Sequence, residues 1–422
     1  MKNKRRQFLK TTALTAAAAP ILGCASAQST AKSVTPSDRY SKLDAALAQP
    51  VLKKELFADP VMIESVELLK YKKNYICRVR STDGAEGLSV SNNAQIQHFY
   101  PVLVNRVAPY FVGKDARNLD DLLEGVYVFK SNYKVQNLAL WVPVATVEFA
   151  ILDMLGRIAN RPIGQLIGEI HHPQIAVYRA NNHRGDSAEK SLEKIIKNVE
   201  ESQAKAVKFK IGGRMSKNKD YPAGRSEKLI PMVRKAFGDE MTIYADSNGS
   251  YDVQEAIRIG KILQEYQLDF YEEPTPFDWY EETKMVKDAL QIPIAGGEQE
   301  PSMRNFRWLI GNNALDIVQP DIFYFGGMIR TMKVARMAAT VGKTCVPHIS
   351  GSGLGYLYMM HFVSAVPNAG PYHEFKGYNK KLPHQSNTTD FKVKDGKITV
   401  PTGAGSGVEI AANYVAKHKV VS

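Results

Sequence analysis

The sequence predicts an α/β protein: a barrel of alternating strands and helices, with a smaller α+β unit in front of it. Three observations carry this. From Ile175 onward, eight short apolar strand-like runs alternate with amphipathic helical ones. Most of those runs end in an ionisable residue. Before about residue 170 the rhythm differs, with strands first and helices after.

The chain has 422 residues, with 44% hydrophobic and 23% charged residues. That is globular composition, which excludes disordered and collagen-like classes. Three cysteines exclude a disulfide scaffold. No run of about 20 apolar residues follows the N-terminal segment, so no bundle of membrane spans is expected.

Residues 1–27 read as an address. Lys2, Lys4, Arg5, Arg6 and Lys10 precede an Ala/Leu-rich stretch and an Ala25-Ser26-Ala27 cleavage pattern. Arg5-Arg6-Gln7-Phe8-Leu9-Lys10 resembles the twin-arginine export signal, which predicts a periplasmic protein. Ile21-Leu22-Gly23-Cys24 resembles a lipoprotein box, so a membrane association would follow only if Cys24 is lipidated. Five basic residues lie in this segment without an acid, so the net charge of +12 becomes +7 beyond it. That remainder gives no case for nucleic acid.

Residues 28–58 read as a leader, polar at first and then weakly helical. Residues 59–170 read as the α+β domain. Val66-Glu67-Leu68 and Tyr75–Val79 are β-prone, Asp83-Gly84 is a turn signal, and helices are expected over Gln95–Pro109 and Val142–Leu155. Cys77 and Cys345 lie in apolar runs and read as buried, inert thiols.

Residues 171–385 read as the barrel. Its strands are IAVYRA, AVKFKIG, TIYADSN, DFYEEP, PIAGGE, LDIVQPDIFYF, KTCVPHIS and PYHEF. Residues 386–422 form a C-terminal segment, with FKVKDGKITV reading as a hairpin around Asp395-Gly396 that leads back towards the front unit. The strand-end charges are Lys208 and Lys210, Asp246, Glu272, Glu298, Asp321, His348 and Glu374. From Asp246 they recur at steps of 26, 26, 23, 27 and 26 residues, one strand–helix unit each. In such barrels the C-terminal ends of the strands carry the active site, so these groups should converge in one cup.

Asp246, Glu272 and Glu298 come from successive strands. Three carboxylates without Cys or His suit a hard cation, Mg²⁺ first and Mn²⁺ next. Glu273 rivals Glu272, because strand alternation lets only one point inward. Lys208-Phe209-Lys210 places two ammonium groups on one face, where each should depress the other's pKa and make one a usable base. Asp321 beside His348 should orient the imidazole and raise its pKa. Tyr178, Asn181, Asn182 and His183 at the end of the first strand, and Tyr324 on the sixth, are candidate pocket-lining residues. Gly351-Ser352-Gly353-Leu354-Gly355 lacks the spacing of a dinucleotide fingerprint.

This ordered set resembles the enolase superfamily, and within it the mandelate racemase subgroup. It is carried by Lys208-x-Lys210, Asp246-x-Asn248, Glu272-Glu273-Pro274, Gly297-Glu298, Pro320-Asp321 with Gly326-Gly327, His348 and Glu374, over a stretch from about Val61 to the end. Asp321 stands where the muconate-cycloisomerase branch has a Lys. Asn248 stands where the galactonate-dehydratase branch has a His. The resemblance implies a modified TIM barrel, (β/α)7β, with an N-terminal α+β capping domain. It implies Mg²⁺ on Asp246, Glu272 and Glu298, and a substrate carboxylate held by the metal and Lys208. Lys210 and His348 would flank the α-carbon, with Asp321 tuning His348. Glu374 would donate a hydrogen bond as an enediolate forms, and Asn248 would contact substrate.

The implied reaction is Mg-dependent α-proton abstraction from a small carboxylate. Dehydration of an acid sugar to a 2-keto-3-deoxy acid is expected first, which makes the protein a hydro-lyase. Racemisation, epimerisation or cycloisomerisation is the alternative, and a non-catalytic exported carbohydrate-acid binding protein the minor one. A homo-oligomer is also implied.

Overall fold

A computed structural model describes residues 36–378 and 382–422. The export segment 1–27, with Cys24, and the first part of the leader lie outside the described residues.

In the front unit, strands β1 (Ile63–Tyr71), β2 (Asn74–Ser81) and β3 (Glu86–Val90) pair antiparallel. One face, with Leu68, Cys77 and Val79 buried, packs on the helix Leu138–Ile158. That helix is long and apolar enough to cross a membrane, but 89% of it is buried inside the protein. It is a core helix, and it carries the buried acids Glu148 and Asp153. Where one helix was expected over Gln95–Pro109, the chain forms the helix Asn93–Val102, a wider turn over Leu103–Val107 and a short helix Ala108–Phe111. Pro101 and Pro109 each remove a helical donor there.

Eight parallel strands follow: β4 (Gln174–Ala180), β5 (Ala206–Lys210), β6 (Thr242–Asp246), β7 (Phe270–Glu272), β8 (Ile294–Gly296), β9 (Ile317–Val318), β10 (Thr344–Cys345) and β11 (His373–Phe375). They pair in chain order from β4 to β10, and β11 pairs with β4. A parallel bridge between Cys345 and Ala369 joins the chain entering β11 to β10 and rounds the sheet into a barrel. Seven helices lie between the strands, the (β/α)7β pattern. Ser187, Asp252 and Ser302 cap three of them by accepting N–H groups of Lys190, Glu255 and Asn305. β9 and β10 are shorter than their apolar runs, because Pro320 and Pro347 interrupt the ladder. Asp321 and His348 still meet through an isolated parallel bridge.

Alternation sorts the barrel residues. Val207, Phe209, Ile243, Ala245 and Tyr271 face the helices. Tyr178, Ala180, Ala206, Tyr244, Phe270, Ala295 and Val346 fill the barrel interior. Tyr244 and Phe270 stack 3.7 Å apart, and Tyr178 meets Tyr244 edge-on at 5.3 Å.

Three contacts tie the parts together. Glu148 reaches from the front helix and accepts the N–H groups of Met328 (2.7 Å) and Ile329 (2.8 Å), at the start of the barrel helix Met328–Ala339. Burial pushes its carboxyl up to about 8. Gly327, at φ +108°, is what lets it in, since a Cβ there would collide with the Glu148 carboxylate. Residues 36–58 pack on the barrel, with the helix Pro36–Ala48 held by Asp44 accepting twice from Arg307 at 2.6 Å. At the other end only Lys394 and Lys397 pair as a hairpin. Lys397–Thr399 instead adds antiparallel to β4, where a long ladder partner is available. Lys419–Val420 then adds to β1 of the front sheet.

Candidate active site

The inward positions one step above the aromatic layer are charged. The register sets Lys210 beside Asp246 and Asp246 beside Glu272. Lys208, 1% exposed, donates to both Glu272 oxygens at 2.6 and 2.7 Å and lies 3.5 Å from Glu374 Oε1. Lys210 donates to Asp246 Oδ2. Lys208, Lys210, Asp246, Glu272, Glu298, Asp321, His348 and Glu374 thus converge in one buried cup, as the strand-end pattern predicted.

Oxygens of Asp246, Glu272 and Glu298 lie within 4.8 Å of one another. Glu298 Oε2 is buried without a hydrogen-bond partner. Burial and the Asp246 charge push Glu272 up to about 8. All-oxygen donors, an orphaned buried carboxylate oxygen and mutual repulsion fit a hard divalent cation, Mg²⁺ or Mn²⁺. Asp246 stays well ionised: burial opposes this, but Lys210 and Lys208 outweigh it.

Glu273 does not compete with Glu272 for one inward place. Its backbone is left-handed, φ +43°, which ends the strand alternation. Its carboxylate therefore also faces the cluster and accepts from Asn248 Nδ2 at 3.1 Å. Burial and Glu298 hold it well above the usual range. The same Asn248 amide reaches Asp246 Oδ2 (3.3 Å) and Glu298 Oε1 (3.4 Å).

Lys208 behaves differently from expectation. Burial opposes charge on Lys208, but Glu272, Tyr178 and Glu374 raise its pKa well above normal. Neighbouring carboxylates win over like-charge repulsion, so Lys208 is a fixed cation. On the far side of the cup, His348 Nδ1 meets Asp321 Oδ2 at 2.6 Å, and Nε2 lies 3.5 Å from both Glu298 and Glu374. Burial and the neighbouring Lys376 charge oppose protonation, but Glu298 chiefly, with Glu374 and Asp321, raises the His348 pKa. Asp321 is held by the N–H groups of Phe323, Tyr324 and Ser350 and by the Ser350 hydroxyl.

Glu374 departs from the implied donor role. Burial would favour a proton on it, but Lys376, Lys208 and His348 hold it well below the usual carboxylate range. An ionised Glu374 only accepts hydrogen bonds.

The pocket candidates separate. Tyr324 sits beside His348, ring centres 6.5 Å apart. Tyr178 belongs to the barrel interior, fully buried beneath the Lys208 ammonium, which lies 5.2 Å from its ring centre. It points inward as expected, but one layer too deep to line the cup. Asn181 is buried and donates to the carbonyls of Arg179 and Lys208. His183 is engaged with Asn198 (3.1 Å), and Asn182 is exposed at the rim.

Three residues of the cup escaped the sequence reading. Gln319 donates to Glu272 Oε2 at 2.7 Å. Lys376 lies 3.3 Å from Glu374 Oε2 and 3.3 Å from His348 Nε2. Both sit two residues from an assigned group, Asp321 and Glu374, so the alternation that found Lys208 and Lys210 also points to them. Arg184 binds the carbonyls of Ile211, Gly212 and Asp246 and the Asn248 side chain, pinning the ends of β5 and β6. No local pattern marks it.

Comparison with known proteins agrees with this geometry. Residues 51–168 match the mandelate racemase/muconate lactonizing enzyme N-terminal domain, and residues 191–414 match the enolase C-terminal domain-like family. An arabinonate dehydratase of Saccharolobus solfataricus is 25% identical over 82% of this chain and 90% of its own length. An L-talarate/galactarate dehydratase of Salmonella typhimurium is 28% identical over 80% of each. A D-galactarolactone cycloisomerase of Agrobacterium fabrum is 24% identical over 75% of this chain and 84% of its own. A crystal structure of a candidate racemase from Roseobacter denitrificans superposes with a TM-score of 0.78 at 30% identity, covering 85% of this chain and 99% of that one.

Proposed function

This chain belongs to the mandelate racemase/muconate lactonizing enzyme family of the enolase superfamily, and from that premise we propose that it is an acid-sugar dehydratase. The observation that carries the reading is the two-sided cup, with Lys210 on one side of the acid triad and the His348–Asp321 pair on the other.

The α-proton of a carboxylate is weakly acidic, because its removal puts a second negative charge on the same group. Asp246, Glu272 and Glu298 would hold a divalent cation, which supplies positive charge beside that carboxylate. Lys208, a fixed cation, adds to it, and a preorganised group of this kind is worth roughly 3–4 kcal/mol. Lys210 Nζ takes the α-proton, and the C–H electron pair enters the enediolate. His348, protonated, gives its Nε2 proton to the β-hydroxyl. The C–O bond breaks, water leaves with that electron pair, and the resulting enol becomes the 2-keto-3-deoxy acid. The family relatives that dehydrate arabinonate and talarate/galactarate support this substrate class.

Proton return on the opposite face is the second reading, since Lys210 and His348 are both placed to move a proton. It would make the enzyme an epimerase or cycloisomerase, as one relative is. The Arg5-Arg6 segment supports a periplasmic location.

Incubation with a sugar-acid library in D₂O with Mg²⁺ tests the proposal. A keto acid with one solvent deuterium on the methylene next to its carbonyl supports dehydration. Deuterium at the α-carbon of the recovered acid, without the keto product, selects epimerisation. Neither keto acid nor exchange with any acid overturns enzymatic turnover and leaves a binding protein.

A further inference from the structure

We propose that Lys376 is a substrate-binding residue that, with His348, grips the oxygen on the carbon next to the α-carbon. The assignment rests on the dehydratase reading above.

Lys376 follows Glu374 by two residues at the end of β11, so it shares that residue's inward face. Its ammonium is anchored from behind by the carbonyl of Ile349 at 2.7 Å and by Glu374 Oε2 at 3.3 Å. Its third neighbour is His348 Nε2, at 3.3 Å. The other ring nitrogen of His348 is taken by Asp321, so Nε2 is the atom left to meet substrate. Two nitrogens this far apart can share one oxygen at about 2.9 Å from each, a normal hydrogen-bond distance. A substrate oxygen bonded to His348 Nε2 can therefore bond Lys376 as well. The side chain is 34% exposed, so it is not sealed in the barrel.

The division of labour follows. Lys208 serves the α-carboxylate. Lys376 donates to the β-hydroxyl and stabilises the charge that grows on this oxygen as the C–O bond breaks. His348 supplies the proton, and Lys376 keeps its own. With Glu374 ionised, Lys376 also brings to this side of the cup a donor that Glu374 cannot offer.

The test uses the full-length protein with Mg²⁺ and two variants, Lys376→Met and Lys376→Arg. The readout is keto acid formed per deuterium incorporated at the α-carbon of the recovered acid, which separates C–O cleavage from proton abstraction. In Lys376→Met this ratio should fall at least about tenfold, on the scale of one hydrogen bond from a charged group. Lys376→Arg should recover most of it, because the charge and donor return. An unchanged ratio in Lys376→Met overturns the proposal, and so does an Arg variant no better than Met. If the parent protein turns over no acid, the dehydratase reading fails and binding decides for Lys376. Glycerate and lactate differ only by the β-hydroxyl. The parent should bind glycerate about tenfold more tightly by calorimetry, on the scale of one hydrogen bond to a charged group, and Lys376→Met should lose that preference. Equal affinities in the parent overturn the assignment. Lys376→Gln replaces the Met variant if that one does not fold.

Discussion

Two layers of the same barrel strands do opposite things. The lower layer, Tyr178, Tyr244 and Phe270, is aromatic and closely stacked. The upper layer, Lys208, Lys210, Asp246 and Glu272, is charged and just as buried. The two are separated by one alternation step, Tyr244 to Asp246 and Phe270 to Glu272. Burial is therefore no guide to role here. Below, buried area stabilises the fold. Above, burial raises the cost of every charge and so gives each one chemical leverage.

That contrast can be broken at the upper layer with the largest effect. Glu298→Ala should lose Mg²⁺ binding in calorimetry and lower α-proton exchange by at least about 10³-fold, in line with the several kcal/mol a metal supplies. Retained Mg²⁺ affinity would remove Glu298 from the metal site. Lys210→Ala and His348→Ala should each lower turnover by about 10²–10⁴-fold while Mg²⁺ still binds. Full turnover in either would cancel its role.

In the lower layer, Phe270→Ala should cost about 3–5 kcal/mol in denaturant unfolding, because a large ring leaves a cavity. A loss below about 1 kcal/mol would show that this layer is not the structural floor.

A pH series sharpens the contrast further. The Glu272 carboxyl is raised from 4.5 to about 8 in the folded protein. Its protonated form is favoured on folding, so the stability it contributes is full below about pH 4.5 and is lost as pH rises towards 8. Metal-free protein should weaken over that window by an amount of order a few kcal/mol, and Mg²⁺ should flatten the curve. A metal-free profile that rises with pH would contradict the buried, repelled carboxylate. The smallest change is Tyr178→Phe. Its hydroxyl is buried without a partner, so removal should change stability by less than about 1 kcal/mol and should be neutral or favourable.

The barrel was legible because period-2 strands and amphipathic helices alternate without interruption from Ile175. The cup was legible because its groups stand at strand ends, one per unit. Alternation tells a face but not a depth, which is why Tyr178 looked like a pocket residue. The expectation that only one of Glu272 and Glu273 faces inward failed for a related reason, since a left-handed residue cancels alternation and no composition signal announces it. Arg184 was invisible because it acts on carbonyls of other strands, which converge only in three dimensions. Lys376 and Gln319 were within reach of the same two-residue rule that located Lys210.

The strand Lys419–Val420 completes the sheet that begins at Ile63. During synthesis β1 therefore waits with an open edge until the chain has been made through Val420. The front sheet is made before the barrel and finished only after it. A chain cut short by a few residues would keep every group of the cup and still carry an unpaired strand, the kind of edge that recruits other chains.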